Sequence, residues 1–235
     1  MSSRYKPVTH CIFDMDGLLL DTETLYTIAT QNILDKYFQN PRKIYTWDVK
    51  ATLMGFQTEE VARRIVNYYE IPITWQEYVV LAKEQIDMLM PKCEKTKGAE
   101  KLVRHLYNNN VPICLATSSS KESYDVKTIQ HKELFKLFHH IVQGSSDCEV
   151  KNGKPAPDIF LIAMKRFGDG VEAENCLVFE DAPNGVKAAC SAGMQVVMVP
   201  DPNVPKFHCE NATQVLDSLL DFKPEDFGLP AFSDK

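Results

Sequence analysis

The chain has 235 residues, 44% hydrophobic and 25% charged, with 13 Pro and 10 Gly. These proportions fit a globular protein with a sizeable core and exclude a fibrous, low-complexity or disordered chain. With 26 basic and 32 acidic residues the net charge is −6, which argues against binding nucleic acid polymers by bulk electrostatics.

The first predicted element is a strand over 8–13, apolar on both faces and broken at Asp14. The ten residues before Cys11 are polar, so no signal peptide is expected, and no apolar run approaches the ~18 residues of a membrane span. From 22 to 92 the pattern turns helical. Leu25, Ile28, Ala29 and Ile33 share one helical face, and 46–54 reads as a short helix ending at Gly55. After Thr58, the residues Val61, Ile65 and Tyr69 recur every fourth position. Thr74-Trp75-Gln76-Glu77 is a capping box opening a further helix, with Tyr78, Leu81, Ile86 and Leu89 inward, and Pro91 stops it. Trp47 and Trp75 are expected to pack in this region. A single crossover between parallel strands needs only one helix, so the stretch predicts a small inserted bundle.

Beyond residue 98 strands and helices alternate. Helices are predicted over 99–109, 121–130, 158–167 and 184–192, the third with Pro157 at its start and the last ending at Gly193. Strands are predicted over 111–116, 140–142, 176–179 and 195–199. The fold class that follows is α/β, a doubly wound Rossmann-like parallel sheet with an inserted helical bundle. The expected division is a core of 1–21 and 93–235 and an insertion of 22–92. The seven cysteines are odd in number and form no Cys-x-x-Cys pair, which predicts free thiols in a reducing cytoplasm. Asn211-Ala212-Thr213 is read as a chance glycosylation triplet, and His139-His140 as structural.

Chemistry gathers at the predicted strand ends. Asp14-Met15-Asp16-Gly17 places two carboxylates and a turn glycine after the first strand, at the edge where ligands of open α/β sheets bind. Buried acids there must be paired, hydrogen-bonded or metal-bound. The second strand runs into Thr117-Ser118, with Ser120 suited to cap the next helix. Lys154 sits in Gly153-Lys154-Pro155, and the fourth strand ends at Glu180-Asp181. No Gly-x-Ser-x-Gly elbow and no Walker-type loop occurs.

The run from Asp14 to Glu23, the strand ending at Thr117-Ser118, the segment 153–158 and the segment 176–185 resemble, in order, the four motifs of the haloacid dehalogenase superfamily. The inserted bundle is similar to the cap that this superfamily places after its first motif. The resemblance implies a phosphoryl-transfer enzyme in which Asp14 is the nucleophile, forming an aspartyl-phosphate, and Asp16 the general acid and then base. It implies that Lys154 pairs with Asp14 and the phosphate, and that Thr117, Ser118 and nearby backbone amides cradle phosphate oxygens. Mg²⁺ would be held by the Asp14 carboxylate, the Asp16 backbone carbonyl and the Asp181 carboxylate, with Glu180 direct or indirect. An Asp at position 16 points to phosphatases and phosphomutases within the superfamily.

Similarity continues through 7–10, 45–50, 53–55, 98–102, 131–133, 177–200 and 227–230. It implies hydrolysis of pseudouridine 5′-phosphate. Glycerol phosphate, a sugar phosphate or flavin mononucleotide remain alternatives, as does a phosphomutase. The expected partner is a small phosphorylated metabolite, with no nucleic acid polymer and no membrane, and the chain is expected to be a cytoplasmic monomer. Tyr26, Met54, Gly55 and Phe56 are expected to face the leaving group.

Overall fold

The computed structural model describes residues 3–53 and 58–233. The chain divides into two compact units: residues up to Asp21 together with those from Glu94 onward, and Thr22–Cys93.

The first unit is built on a six-stranded, wholly parallel sheet. Its strands are β1 (His10–Phe13), β2 (Ile113–Thr117), β3 (His140–Gln143), β4 (Cys176–Glu180), β5 (Gln195–Met198) and β6 (Gln214–Val215). Their spatial order is β3-β2-β1-β4-β5-β6. The chain winds outward in one direction from β1 through β2 and β3, then returns to β1's other side for β4, β5 and β6. The order therefore reverses between β1 and β4, and a reversal of this kind opens a crevice at the strands' carboxyl ends. In register, Phe13 stands opposite Leu115 on one side and Phe179 on the other. The residues that follow β1 thus emerge beside the last residues of β2 and β4. The two-residue edge strand β6 was not expected from sequence; Gln214-Val215 is too short and too polar to carry a strand pattern.

The inner strands are buried on both faces because helices cover both, which is why their sequences are continuously apolar. One face carries Ile12, Cys114, Ala116, Val178, Val196 and Met198, packed against α8 (Asp158–Lys165) and α9 (Pro183–Ser191). On the other, Phe13 stacks on Phe179 with centroids 4.5 Å apart, and Phe179 meets Phe222 edge-on at 4.9 Å. Phe222 continues to Phe227, which stacks on Tyr5 at 4.6 Å. This run folds the C-terminal segment over the sheet. Gly228 turns there at φ +72°, and an added Cβ would come within 2.9 Å of Pro7.

α5 (Ala99–Asn108) buries Ala99, Leu102, Val103 and Leu106. The predicted helix over 121–130 ends early, as α6 (Lys121–Lys127), and a separate short helix, α7 (Lys132–Phe135), follows it. Ser120 caps α6, accepting from the Ser123 amide at 3.2 Å. His140 Nε2 donates to the Ala163 carbonyl at 2.8 Å. All seven cysteines are free thiols, with Cys11, Cys114 and Cys176 in the strands.

The second unit holds α1 (Thr22–Tyr37), α2 (Trp47–Ala51), α3 (Thr58–Tyr69) and α4 (Trp75–Leu89). Its core is Ile33, Leu34, Val49, Leu53, Ala62, Ile65, Tyr69, Ile71 and Tyr78. The Thr74 capping box is formed, with the Thr74 amide donating to Glu77 at 2.7 Å. The face expected for α1 is rotated. Ile28 is exposed, whereas Thr30 and Leu34 are buried beside Ala29 and Ile33. Tyr78 reaches the Thr30 hydroxyl at 3.2 Å, and that contact sets which face turns inward. Leu81, Ile86 and Leu89 are half-buried, as are Trp47 and Trp75. No helix among the described residues is long and apolar enough to cross a membrane.

Candidate active site

The sheet register converges acidic groups at the reversal point. The Asp14 amide extends the ladder by donating to the Phe179 carbonyl at 3.0 Å. The turn that follows needs Gly17 in the left-handed region, at φ +78°, and closes with a 2.8 Å bond from its amide to the Leu20 carbonyl. Asp14 is thereby buried at the floor of the crevice while Asp16 stays a quarter exposed at its rim.

Lys154 arrives from the loop between β3 and α8. Its Nζ lies 2.5 Å from Asp14 Oδ1, 2.6 Å from Glu180 Oε1 and 3.1 Å from the Ala116 carbonyl. The loop is tied down on both sides. Asp158 accepts from the amides of Lys151 at 3.2 Å and Asn152 at 2.9 Å, and Arg166 bridges Asp147 at 2.6 Å and Glu149 at 2.8 Å. An ammonium with three acceptors in a buried site gives up none of its hydrogen bonds to solvent loss.

Glu180 is the most enclosed acid of the group. Its second oxygen accepts from the Asp181 and Ala182 amides at 3.1 and 3.2 Å. Room for it depends on Gly185, where a Cβ would lie 1.9 Å from the carboxylate. Ligand oxygens of Asp14, Glu180 and Asp181 all lie within 4.8 Å of one another.

Burial is the largest influence on Asp14 and pushes its carboxyl up, to about 7; the Lys154 ammonium opposes this, while Glu180 and Asp16 add to it. Burial also disfavours the charged form of Lys154, but Asp14 and Glu180 overcome it and raise the ammonium above its usual range. The carboxylates of Asp14, Glu180 and Asp181 crowd together beside the Lys154 ammonium, an arrangement that a further cation would stabilise. The donors are hard oxygens, suited to a divalent cation such as Mg²⁺. The residues present fit such an ion: Asp14 and Asp181 bring carboxylate oxygens to the same place, whereas Glu180 has committed its oxygens to Lys154 and two amides.

Of the residues singled out in the sequence, Asp14, Asp16, Thr117, Lys154, Glu180 and Asp181 meet at this edge. Thr117 is fully buried. Its hydroxyl accepts from the Ser119 amide at 3.1 Å and stands 3.5 Å from Asp16 Oδ2. Ser118 is exposed, and its carbonyl accepts from the Ser145 hydroxyl at 2.7 Å. Two residues that sequence reasoning passed over join Asp16: Ser119, 2.8 Å from Oδ2, and Lys127, 2.6 Å from Oδ1. Ser119 lay inside a serine run read as a helix cap. Lys127 carries no local signal, being one lysine among several on a charged helix. Tyr26 is half-buried on α1, and Met54, Gly55 and Phe56 lie outside the described residues.

The family described as haloacid dehalogenase-like hydrolase matches residues 11–199. A Drosophila melanogaster protein named "Probable pseudouridine-5′-phosphatase" is 58% identical over 229 residues, covering 97% of this chain and 97% of that one. An Arabidopsis thaliana protein named "(DL)-glycerol-3-phosphatase 1, mitochondrial" is 49% identical over 230 residues, covering 97% of this chain and 76% of that one. In fold, the chain is similar to the crystal structure of a haloacid dehalogenase family hydrolase from Deinococcus radiodurans, with a TM-score of 0.76 at 22% identity, over 92% of this chain and 93% of that one.

Proposed function

The chain belongs to the haloacid dehalogenase-like hydrolases, and from that premise we propose that it is a phosphomonoesterase hydrolysing pseudouridine 5′-phosphate to pseudouridine and phosphate. The observation that carries the reaction class is a buried carboxylate, Asp14, held 2.5 Å from the Lys154 ammonium at the sheet's reversal point, with a second carboxylate two residues on. The 58% identity to the Drosophila protein over nearly the full chain supports the substrate.

In this reading an Asp14 oxygen forms a bond to phosphorus as the ester P–O bond breaks, and Asp16 gives its proton to the departing alkoxide. Water then attacks phosphorus, Asp16 takes the water's proton, and the bond to Asp14 breaks to release phosphate. Lys154 holds the Asp14 carboxylate in place and offers positive charge to the transferring group. The Thr117 hydroxyl, the Ser118 backbone amide and the amides after Asp16 line the space for phosphate oxygens. Asp14, Asp181 and the Asp16 backbone carbonyl would hold Mg²⁺. When bound, the ion supplies the charge that lets a carboxylate meet a phosphate dianion.

The working protein is read as a cytoplasmic monomer with a small phosphorylated metabolite as its partner. Its first compact unit is read as the catalytic core and the second, Thr22–Cys93, as a cap that begins where the expected insertion of 22–92 does and ends one residue later. A second substrate reading, glycerol phosphate, has support from the 49% identity to the Arabidopsis protein.

A phosphate-release screen with Mg²⁺ tests the reaction and the substrate. It includes pseudouridine 5′-phosphate, uridine 5′-phosphate, glycerol 3-phosphate, hexose phosphates and flavin mononucleotide. The expected result is preferential release from pseudouridine 5′-phosphate without any bisphosphate activator. Clear turnover of glycerol 3-phosphate alone would move the substrate to the second reading. Turnover that requires a bisphosphate would make the enzyme a mutase.

A further inference from the structure

Lys127 closes α6 and is even more buried than Lys154, its side chain 4% exposed against 9%. A lysine so placed needs an anionic partner, because an unpaired buried ammonium is costly. The partner is Asp16, 111 residues away in sequence, with Lys127 Nζ 2.6 Å from Oδ1. The same Nζ donates to the Ser119 hydroxyl at 2.9 Å, and that hydroxyl donates to Asp16 Oδ2 at 2.8 Å. Lys127, Ser119 and Asp16 thus form a closed ring in which both oxygens of one carboxylate are tied to two side chains. Thr117, 3.5 Å from Oδ2, stands behind the ring. Lys154 bonds instead to Asp14, Glu180 and the Ala116 carbonyl. The crevice therefore has two lysines with separate tasks, one on each carboxylate of the Asp14-Met15-Asp16 pair.

We infer that Lys127, with Ser119, is a positioning residue that fixes the Asp16 side chain for proton transfer to the leaving group. The inference rests on the phosphatase reading above and adds a residue to it. Asp16 sits at the start of a glycine-containing turn at the rim of the crevice, where its side chain would otherwise sample several rotamers. Tying both oxygens leaves one orientation. A misplacement of about 1 Å in a reacting group can lower a rate on the order of 100-fold.

A positioning residue acts only through the group it positions, and this separates it from a merely structural lysine. Proton donation matters when the leaving group is a poor one, such as an alkoxide, and little when it is a stable aryloxide. The parameter to read is kcat/KM, which reports events up to loss of the leaving group. The probes are p-nitrophenyl phosphate and one alkyl ester, namely pseudouridine 5′-phosphate or whichever ester of the screen is hydrolysed. Lys127→Met is expected to lower the alkyl-to-aryl ratio of kcat/KM by ~10-fold or more. Ser119→Ala, which removes one anchor and no charge, is expected to lower it by a smaller factor. In an Asp16→Asn background the Lys127→Met effect on the ratio is expected to vanish, because the two residues act as one unit.

An equal fall on both ester classes, or an unchanged ratio in both single variants, overturns the inference while leaving the phosphatase reading intact. If Lys127→Met fails to fold, Ser119→Ala and Lys127→Arg carry the same test, with the ratio for Arg expected between those of wild type and Ser119→Ala. A wild-type protein that releases phosphate from no ester overturns the phosphatase reading and the inference together.

Discussion

Lys154 holds two carboxylates of opposite fate. Glu180 is enclosed by two amides and the lysine, whereas Asp14 has one oxygen on Lys154 and one turned to the crevice. Replacing Asp14 by Asn keeps the shape and removes a charge that burial already disfavours. Phosphate release by Asp14→Asn is expected to fall below detection. Its melting temperature should stay within about 4 °C of wild type, since ~1 kcal/mol moves Tm only a few degrees at this size. Retained turnover would remove Asp14 from the mechanism. A second residue governs acid stability. Burial lowers the His140 imidazole below its ordinary value near 6.5; the bond to the Ala163 carbonyl works the other way, and Arg166 and His139 add to the lowering. Below that value the unfolded chain takes up a proton that the folded chain resists, so stability is present above about pH 6.5 and declines as pH falls through it. His140→Gln, which keeps a donor for Ala163, removes this contribution, so between about pH 7 and pH 5.5 its melting temperature should shift less towards instability than that of wild type; the raised Asp14 carboxyl acts with the opposite sign in both proteins. Equal slopes in the two proteins would assign the acid lability elsewhere.

At the scale of elements, α9 is built around an absence. Its first turn approaches β4 so closely that Gly185 is the only residue type that leaves space for the Glu180 carboxylate. Gly185→Ala must displace Glu180 from Lys154 or push the helix outward. Overpacking of this kind costs ~1–3 kcal/mol. The variant should show a lower urea midpoint and reduced phosphate release; an unchanged midpoint would mean that the helix end yields freely. Elements also show where sequence patterns suffice. The inner strands and the Thr74 capping box were legible because their signals are local: two-sided apolar runs, and a Thr-x-x-Glu step. The inward face of α1 was not, since Leu25, Ile28, Ala29 and Ile33 satisfy helical spacing as well as the face actually buried. Neighbouring helices choose between such faces, and Tyr78 on Thr30 is part of that choice.

Taken whole, an acidic chain of net charge −6 carries a site that must attract an anion. The site's own charges, the carboxylates of Asp14, Asp16, Glu180 and Asp181 against the ammoniums of Lys127 and Lys154, leave an excess of negative charge that a divalent cation would offset. Mg²⁺ should therefore raise the melting temperature of the wild-type protein by binding the folded state, and Asp181→Asn should lose most of that shift. Equal shifts in both proteins would place the ion elsewhere. The sequence by itself determined the parallel α/β class and the helical stretch after the first strand, because those signals are written over a few consecutive positions, and it singled out Asp14, Asp16, Thr117, Lys154 and Asp181 through strand ends, turn residues and the order of motifs that resembles a known superfamily. Only the tertiary structure decided that Asp14 emerges beside Glu180, that Lys154 spans both, and that Lys127 and Ser119 grip Asp16. Those contacts join residues 26 to 140 positions apart, apart from the Lys127–Ser119 bond within α6's approach. They depend on sheet register and on where a helix ends, and neither is encoded in the local spacing of residue types.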